Sequence, residues 1–151
     1  MIWKTLKKYE DAGLLVMRLG VGIGFLYFHG WRKLAGGPEA WTRTGGAVEA
    51  LGIDFGHTFF GFMAAFAEGI GGILVALGLF FRPACLLIML TMIVATNMHI
   101  VTGQGGPAHA MKNAFFFFGL LFVGPGRFSL DAMLSRRRTG ETTSPEALAQ
   151  A

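Results

Sequence analysis

Cysteine is almost absent: the 151 residues contain one, Cys85, so the chain can form no intramolecular disulfide, no CxxC redox pair and no cysteine-cluster metal site. Charge is scarce as well. Asp, Glu, Lys and Arg make up 15% of the residues against 53% hydrophobic ones, and the mean hydropathy of +0.53 excludes an ordinary soluble domain. The chain has instead long apolar runs and 23 glycines. Four spans of about 20 residues would take roughly 80 positions, about half the chain, and leave little for a soluble catalytic domain. The net charge of +4 comes from basic residues at the ends of the apolar runs rather than on one face. That placement argues against a nucleic-acid partner and for anionic lipid.

The first run covers about 12–31 and is broken only by Arg18. Lys4, Lys7 and Lys8 precede it as they would in a signal peptide, but its length, its arginine and three comparable runs after it mark a first span. The others fall at about 58–80, 83–101 and 108–123. Between the first two lies a polar, Gly-rich connection, 32–57, with Gly36-Gly37-Pro38 and Gly45-Gly46; a short helix is expected around 41–51, and this is the place for a lid or docking surface. Phe81-Arg82-Pro83 reverses the chain, and Gly124-Pro125-Gly126 stops the fourth run. Lys4, Lys7, Lys8, Arg82, Arg127 and Arg136 to Arg138 flank one side of the bundle, against Arg32, Lys33, Arg43 and Lys112 on the other. The expected fold is therefore an all-α integral membrane four-helix bundle with both termini cytoplasmic. Residues 1–11 read as an interfacial segment, with Ile2, Trp3, Leu6 and Tyr9 on one face, and residues 135–151 as a basic then polar tail, disordered from Thr139 onward.

Helices in lipid associate by close approach of small residues, which Gly20 and Gly24 of the first span and Gly61, Ala65, Gly69 and Gly72 of the second supply. Two charges inside the spans need a reason to be there, since each costs about 2.5–3.5 kcal/mol at bilayer depth. They are Arg18, roughly 9 Å deep, and Glu68, roughly 18 Å deep at 1.5 Å per residue. An Arg18 to Glu68 ion pair is one explanation. A second is that Glu68 carries protons or binds a polar group of a ligand, and a third is that the charges face lipid and snorkel to the interface. His29, His57, His99 and His109 all fall at span ends on the outer side. His29 is eleven residues from Arg18, and His57 eleven from Glu68, so each is expected to share its helix's polar stripe. Neutral imidazoles gathered there could bind a metal, hydrogen-bond a quinone carbonyl or relay protons.

The segments Arg18-Leu19-Gly20-x-Gly22, His29-Gly30-Trp31-Arg32-Lys33-Leu34, Glu68-Gly69-x-Gly71-Gly72 through Arg82-Pro83-Ala84, Met92-x-x-Ala95-x-x-x-His99 and Gly124-Pro125-Gly126-Arg127-Phe128-Ser129-Leu130-Asp131 together resemble the DoxX family of small four-helix membrane proteins. The similarity extends over about 15–134. It implies a bundle in the cytoplasmic membrane of a prokaryote and a link to redox chemistry through quinone. The family's recurring polar positions map to Arg18, His29, Lys33, Glu68, Arg82 and His99, which makes Glu68 and Arg18 the expected catalytic groups and His29, His99 and Lys33 the expected cofactor-binding set, with no metal. Related bundles that relay thiols use cysteine pairs, which this chain lacks.

Three functions are expected on these grounds: a quinone-interacting subunit of a membrane oxidoreductase, served by a partner redox enzyme; a non-catalytic scaffold for such an enzyme; or a permeation protein, for which a homo-oligomer would have to make up for the short chain. No residue set here holds haem, flavin or an iron–sulfur cluster. Ser129 is expected to cap a short helix at the inner exit, and Asp131 to pair with Arg127 or Arg82.

Overall fold

A computed structural model of the chain describes residues 7–138. The face expected through Ile2, Trp3 and Leu6, and the tail beyond Arg138, lie outside the described residues. Every regular element among these is helical: α1 (Glu10–Ala35), α2 (Gly37–Gly45), a 3-10 segment (Gly46–Leu51), α3 (His57–Leu77), α4 (Phe81–Thr102), α5 (Pro107–Val123) and α6 (Leu130–Arg138). Arg136 to Arg138 end α6, which is capped as expected by the Ser129 hydroxyl, the acceptor of the Ala132 N–H at 3.2 Å. α1, α3 and α4 are long and apolar enough to cross a membrane; α5 is apolar but has 17 residues, about 25 Å against a hydrocarbon core of about 30 Å.

The central packing is α1 against α3, α3 against α4, and α4 against α5. Phe25, Val75, Phe81, Ile88, Met92 and Phe117 meet at its centre. α1 and α3 touch through glycine. A side chain on Gly22 would strike the Gly72 carbonyl and Ala76, and one on Gly30 would strike the backbone of Gly69. The small-residue face expected on α3 is real, with Gly61, Ala65, Gly69 and Gly72 all buried. Its partner on α1 is not the expected one: Gly20 and Gly24 face open space. The turn Phe25–Gly30 is π-helical. Its extra residue rotates the last turns of α1 by about 100°, so register counted at 3.6 residues per turn fails across it.

The expected surface connection at 32–57 is instead part of the bundle. α2 runs beside the first half of α3 so closely that the Trp41 carbonyl lies against Gly61 and the His57 carbonyl against Gly45. Thr42 and Thr58 share a hydrogen bond of 2.6 Å, and Asn97 Nδ2 donates to the Ala50 carbonyl at 2.8 Å, tying the 3-10 segment to α4. α1 and α2 together form one path along α3, broken at Gly36–Gly37, where Gly37 has φ +67°.

At the opposite end, α3 closes in a Schellman turn, with Leu79 N–H on Leu74 O at 3.0 Å and Gly78 N–H on Val75 O at 3.1 Å. Phe80 comes next at φ +44°, an unusual backbone for a bulky residue. It is held there from far along the chain: the Asp131 carboxylate accepts the Phe80 and Phe81 N–H groups at 2.9 Å each, and Asp131 N–H donates to the Gly78 carbonyl at 2.9 Å. Asp131 thus caps α4 instead of pairing with Arg127 or Arg82. The reason is geometric, since Arg82 Nε donates to the Leu121 carbonyl at 3.0 Å and Arg127 lies beside Asp11. Two charge-assisted bonds are lost in Asp131→Ala, which is expected to lower stability by about 2 kcal/mol in chemical unfolding.

Candidate functional site

The break at Gly36–Gly37 puts the last turn of α1 beside the middle of α3, and there Lys33 meets Glu68. The ammonium donates to both carboxylate oxygens, at 2.7 and 2.6 Å. Glu68 is 1% exposed and Lys33 30%. Trp41 Nε1, reaching back across the break, donates to the Lys33 carbonyl at 2.8 Å and fixes that turn. Both oxygens of a buried carboxylate are thereby satisfied, which its burial requires.

Arg18 does not reach this pair. It is buried to 1% exposure at the other end of α1, where its Nη2 donates to the Phe128 carbonyl at 2.6 Å and its guanidinium fills the space a Gly78 side chain would take. The Asp131 charge lies near it. Arg18 therefore joins α1 to the exit segment, and the expected Arg18 to Glu68 contact is replaced by two separate arrangements. Counting depth from each end of ideal helices put them within reach. The path of α1 along α3 brings Lys33, four residues beyond His29, to Glu68 instead.

One side of the ion pair opens into a cavity of about 750 Å³ between α3, α4 and the segment 43–48. Its walls are apolar, with Phe60, Met63, Ala67, Leu87 and Val94 among them, and Lys33 and Glu68 line it too. Phe59 and Leu90, both exposed, border it on the apolar flank of α3 and α4. Arg43, Thr44, Thr91, His99, Thr102 and Gln104 are its other polar residues. His99 Nδ1 lies 2.5 Å from the Gln104 carbonyl, which orients the ring at the rim. Thr91 is occupied with the Leu87 carbonyl at 3.0 Å. Such a cavity suits a molecule with an apolar body and a polar head.

The four histidines do not gather at one point. His57 lies 3.4 Å from Glu49, and His99 stands at the cavity. His29 and His109 stack on the side of α1 and α5, ring centroids 5.5 Å apart and 11° from parallel, with Phe25 stacked on His29 at 5.2 Å. Parallel rings do not converge their nitrogens on one ion, and among the described residues no three His, Cys, Asp or Glu side chains are grouped to hold a metal. Of the expected site residues, Lys33, Glu68 and His99 share the cavity, His29 lies next to it, and Arg18 lies apart. Arg43 and Gln104 were not foreseen. Their only sequence signal is a position in the two connections that precede α3 and follow α4.

No solved structure matches the chain. It is 37% identical over 91% of its length to an uncharacterized membrane protein, Rv3486, of Mycobacterium tuberculosis, covering 91% of that protein. It is 30% identical over 87% of its length to the inner membrane protein YqjF of Escherichia coli K12, covering 99% of that one. The DoxX family profile matches residues 13–102, the stretch that holds α1 to α4 with Arg18, His29, Lys33, Glu68 and His99. These matches and the apolar helices agree on one assignment: the chain is a membrane protein and belongs to the DoxX family.

Proposed function

We propose that the chain is a quinone-interacting subunit of a membrane oxidoreductase system, binding the quinone in the cavity between α3 and α4. The observation that carries this reading is the cavity's chemistry: apolar walls and an apolar flank by which a lipid-soluble molecule can enter, with a charged pair and a histidine within. A quinone ring carries carbonyl oxygens that accept hydrogen bonds and gain negative charge on reduction. Lys33 can donate to one, while His99, whose Nδ1–H donates to the Gln104 carbonyl, presents Nε2 as an acceptor for a hydroxyl of the reduced ring and donates from it only as the imidazolium. Glu68, buried beside them, is the group placed to give up or receive the accompanying proton. Electrons come from a partner protein. The reading includes α5 as a fourth span, with both termini on the cytoplasmic side of a prokaryotic inner membrane, as the distribution of Lys and Arg favours.

The test is photolabelling of the detergent-purified protein with a short-chain azidoquinone. Label is expected on the cavity faces of α3 and α4. Ala64→Leu, which places three more carbons at the cavity wall, should cut labelling at least about tenfold without lowering the unfolding temperature. Absent labelling, or labelling elsewhere that Ala64→Leu leaves unchanged, would sink the reading.

A further inference from the structure

Lys33 has two places to put its charge. It neutralises Glu68 and it lines the cavity, so an occupant that draws the ammonium away leaves a buried carboxylate without its partner. Such a charge does not persist uncompensated in a low-dielectric interior. The adjacent group able to gain positive charge is His29. It lies one helical turn before Lys33 and next to Gly30, which packs against the Glu68–Gly69 backbone; the titratable groups around it are Glu68 on α3, Lys33 on α1 and His109 on α5. Its Nδ1 is buried and has no hydrogen-bond partner, a cost that a partner such as a water molecule would relieve. A face of its ring lies against His109, which is exposed and whose Nε2 accepts a bond of 3.1 Å from Asn113 Nδ2. α5 begins only at Pro107, so His109 in its first turn sits level with His29. Neither histidine lines the cavity, and this approach to Glu68 is separate from the one an occupant uses.

We propose that His29 is the replacement counter-ion of Glu68: when Lys33 turns to an occupant of the cavity, His29 takes up one proton from solvent by way of His109. One N–H bond forms, the proton comes from bulk water, and no electron moves. Occupancy of the cavity is thereby coupled to uptake of a proton from the other side of α1. The trigger rests on the cavity being a ligand site, whereas the exchange of counter-ions does not. Net charge around Glu68 is kept constant, and the proton needed for a reduced occupant is already loaded next to it. Stacked imidazoles repel when both are charged, so His109 passes a proton on and does not hold one beside a charged His29.

The experiment uses the full chain in lipid nanodiscs with ¹⁵N-labelled histidine, whose ring shifts report the imidazolium fraction directly. Lys33→Met removes the competing charge without any ligand. The imidazolium fraction of His29 near neutral pH should then rise at least about threefold over wild type. The rise should vanish when Glu68→Gln is added. An unchanged His29, with a protonated carboxyl band of Glu68 in the infrared, would overturn the proposal. Lys33→Gln keeps a hydrogen-bond donor to Glu68 and decides the matter if the methionine variant fails to fold. In the wild type, titration with decylubiquinone in two buffers of different ionisation heat should show about one proton taken up per molecule bound. Binding with no uptake also overturns the proposal; no binding sinks the quinone reading alone, and the Lys33 variants still decide the role of His29. After a pH jump, His109→Phe should slow the charging of His29 severalfold, and an unchanged rate removes His109 from the route.

Discussion

Lys33→Met is expected to destabilise the protein by about 3–5 kcal/mol in unfolding from mixed micelles, because it strands Glu68 as a buried charge with no partner. Glu68 is 1% exposed and both its oxygens bond to Lys33; among the described residues no other side chain or backbone N–H bonds to it. The loss should shrink as pH falls. An ionised carboxylate without a cation carries the penalty, and any proton taken up, by Glu68 or by His29, removes it. Glu68→Gln should cost less, since it leaves the partly exposed Lys33 ammonium able to reach solvent. The informative variant is the double one. Lys33→Met with Glu68→Leu replaces an ion pair by apolar groups of similar volume, a change that is often neutral or stabilising. A double variant as stable as wild type, and unable to take up the quinone probe, would show that the pair is retained for chemistry. A double variant that loses as much stability as Lys33→Met alone would show that it is retained for packing.

The sequence disclosed the lipid-facing character of the chain, because apolar runs of this length have few other uses. It also disclosed the polar groups that matter, because charge inside such a run is expensive and stands out. What it hid was which charge meets which. Arg18 and Glu68 were matched by depth along two ideal helices, but the π-helical turn at Phe25–Gly30 shifts the register of α1 before it reaches Lys33. The turn carries no side-chain signature; Gly30 at its end reads like the other glycines of the span, and no proline marks it. Residues 32–57 were read as a surface connection because glycine, proline and charge usually mark one. Here Gly45 serves close backbone contact with α3, and of the polar residues of α2 Thr42 bonds to Thr58 while Arg43 and Thr44 line the cavity. The cavity was not legible at all. It arises between α3 and α4 where the segment 43–48 spans them, and its lining is mostly the apolar residues common to every span. Glu68 and His99 pointed to it through cost and position, and Lys33 through the family resemblance.

The largest effect outside the ion pair is expected from glycine to alanine substitutions on the α2 to α3 seam. A methyl group at Gly61 would overlap the Trp41 carbonyl, and one at Gly45 would overlap the His57 carbonyl. In each case the obstacle is backbone, which has no rotamer by which to yield. Gly61→Ala is therefore expected to cost about 3 kcal/mol, the upper end for added core volume, and to lift α2 away from α3. That lift reaches the site by two paths. It draws Trp41 off the Lys33 carbonyl, loosening the turn that aims Lys33 at Glu68, and it moves the segment 43–48 that closes one side of the cavity. Gly20→Ala and Gly24→Ala are the matched controls. Both sites are helical with nothing within 4 Å of the added carbon, so alanine should stabilise the monomer by about 0.5–1 kcal/mol through helix propensity alone. Thermal unfolding of all three in the same detergent measures the contrast. If Gly20→Ala and Gly24→Ala cost as much as Gly61→Ala, α1 packs against something through the Gly20 and Gly24 face. Crosslinking wild type and both variants in the membrane would then identify a second copy as that partner, which the substitutions would dislodge. If the controls stabilise, small residues in this chain hold helices together only where the backbone path of α1 and α2 runs along α3, and that path is what brings Lys33 to Glu68.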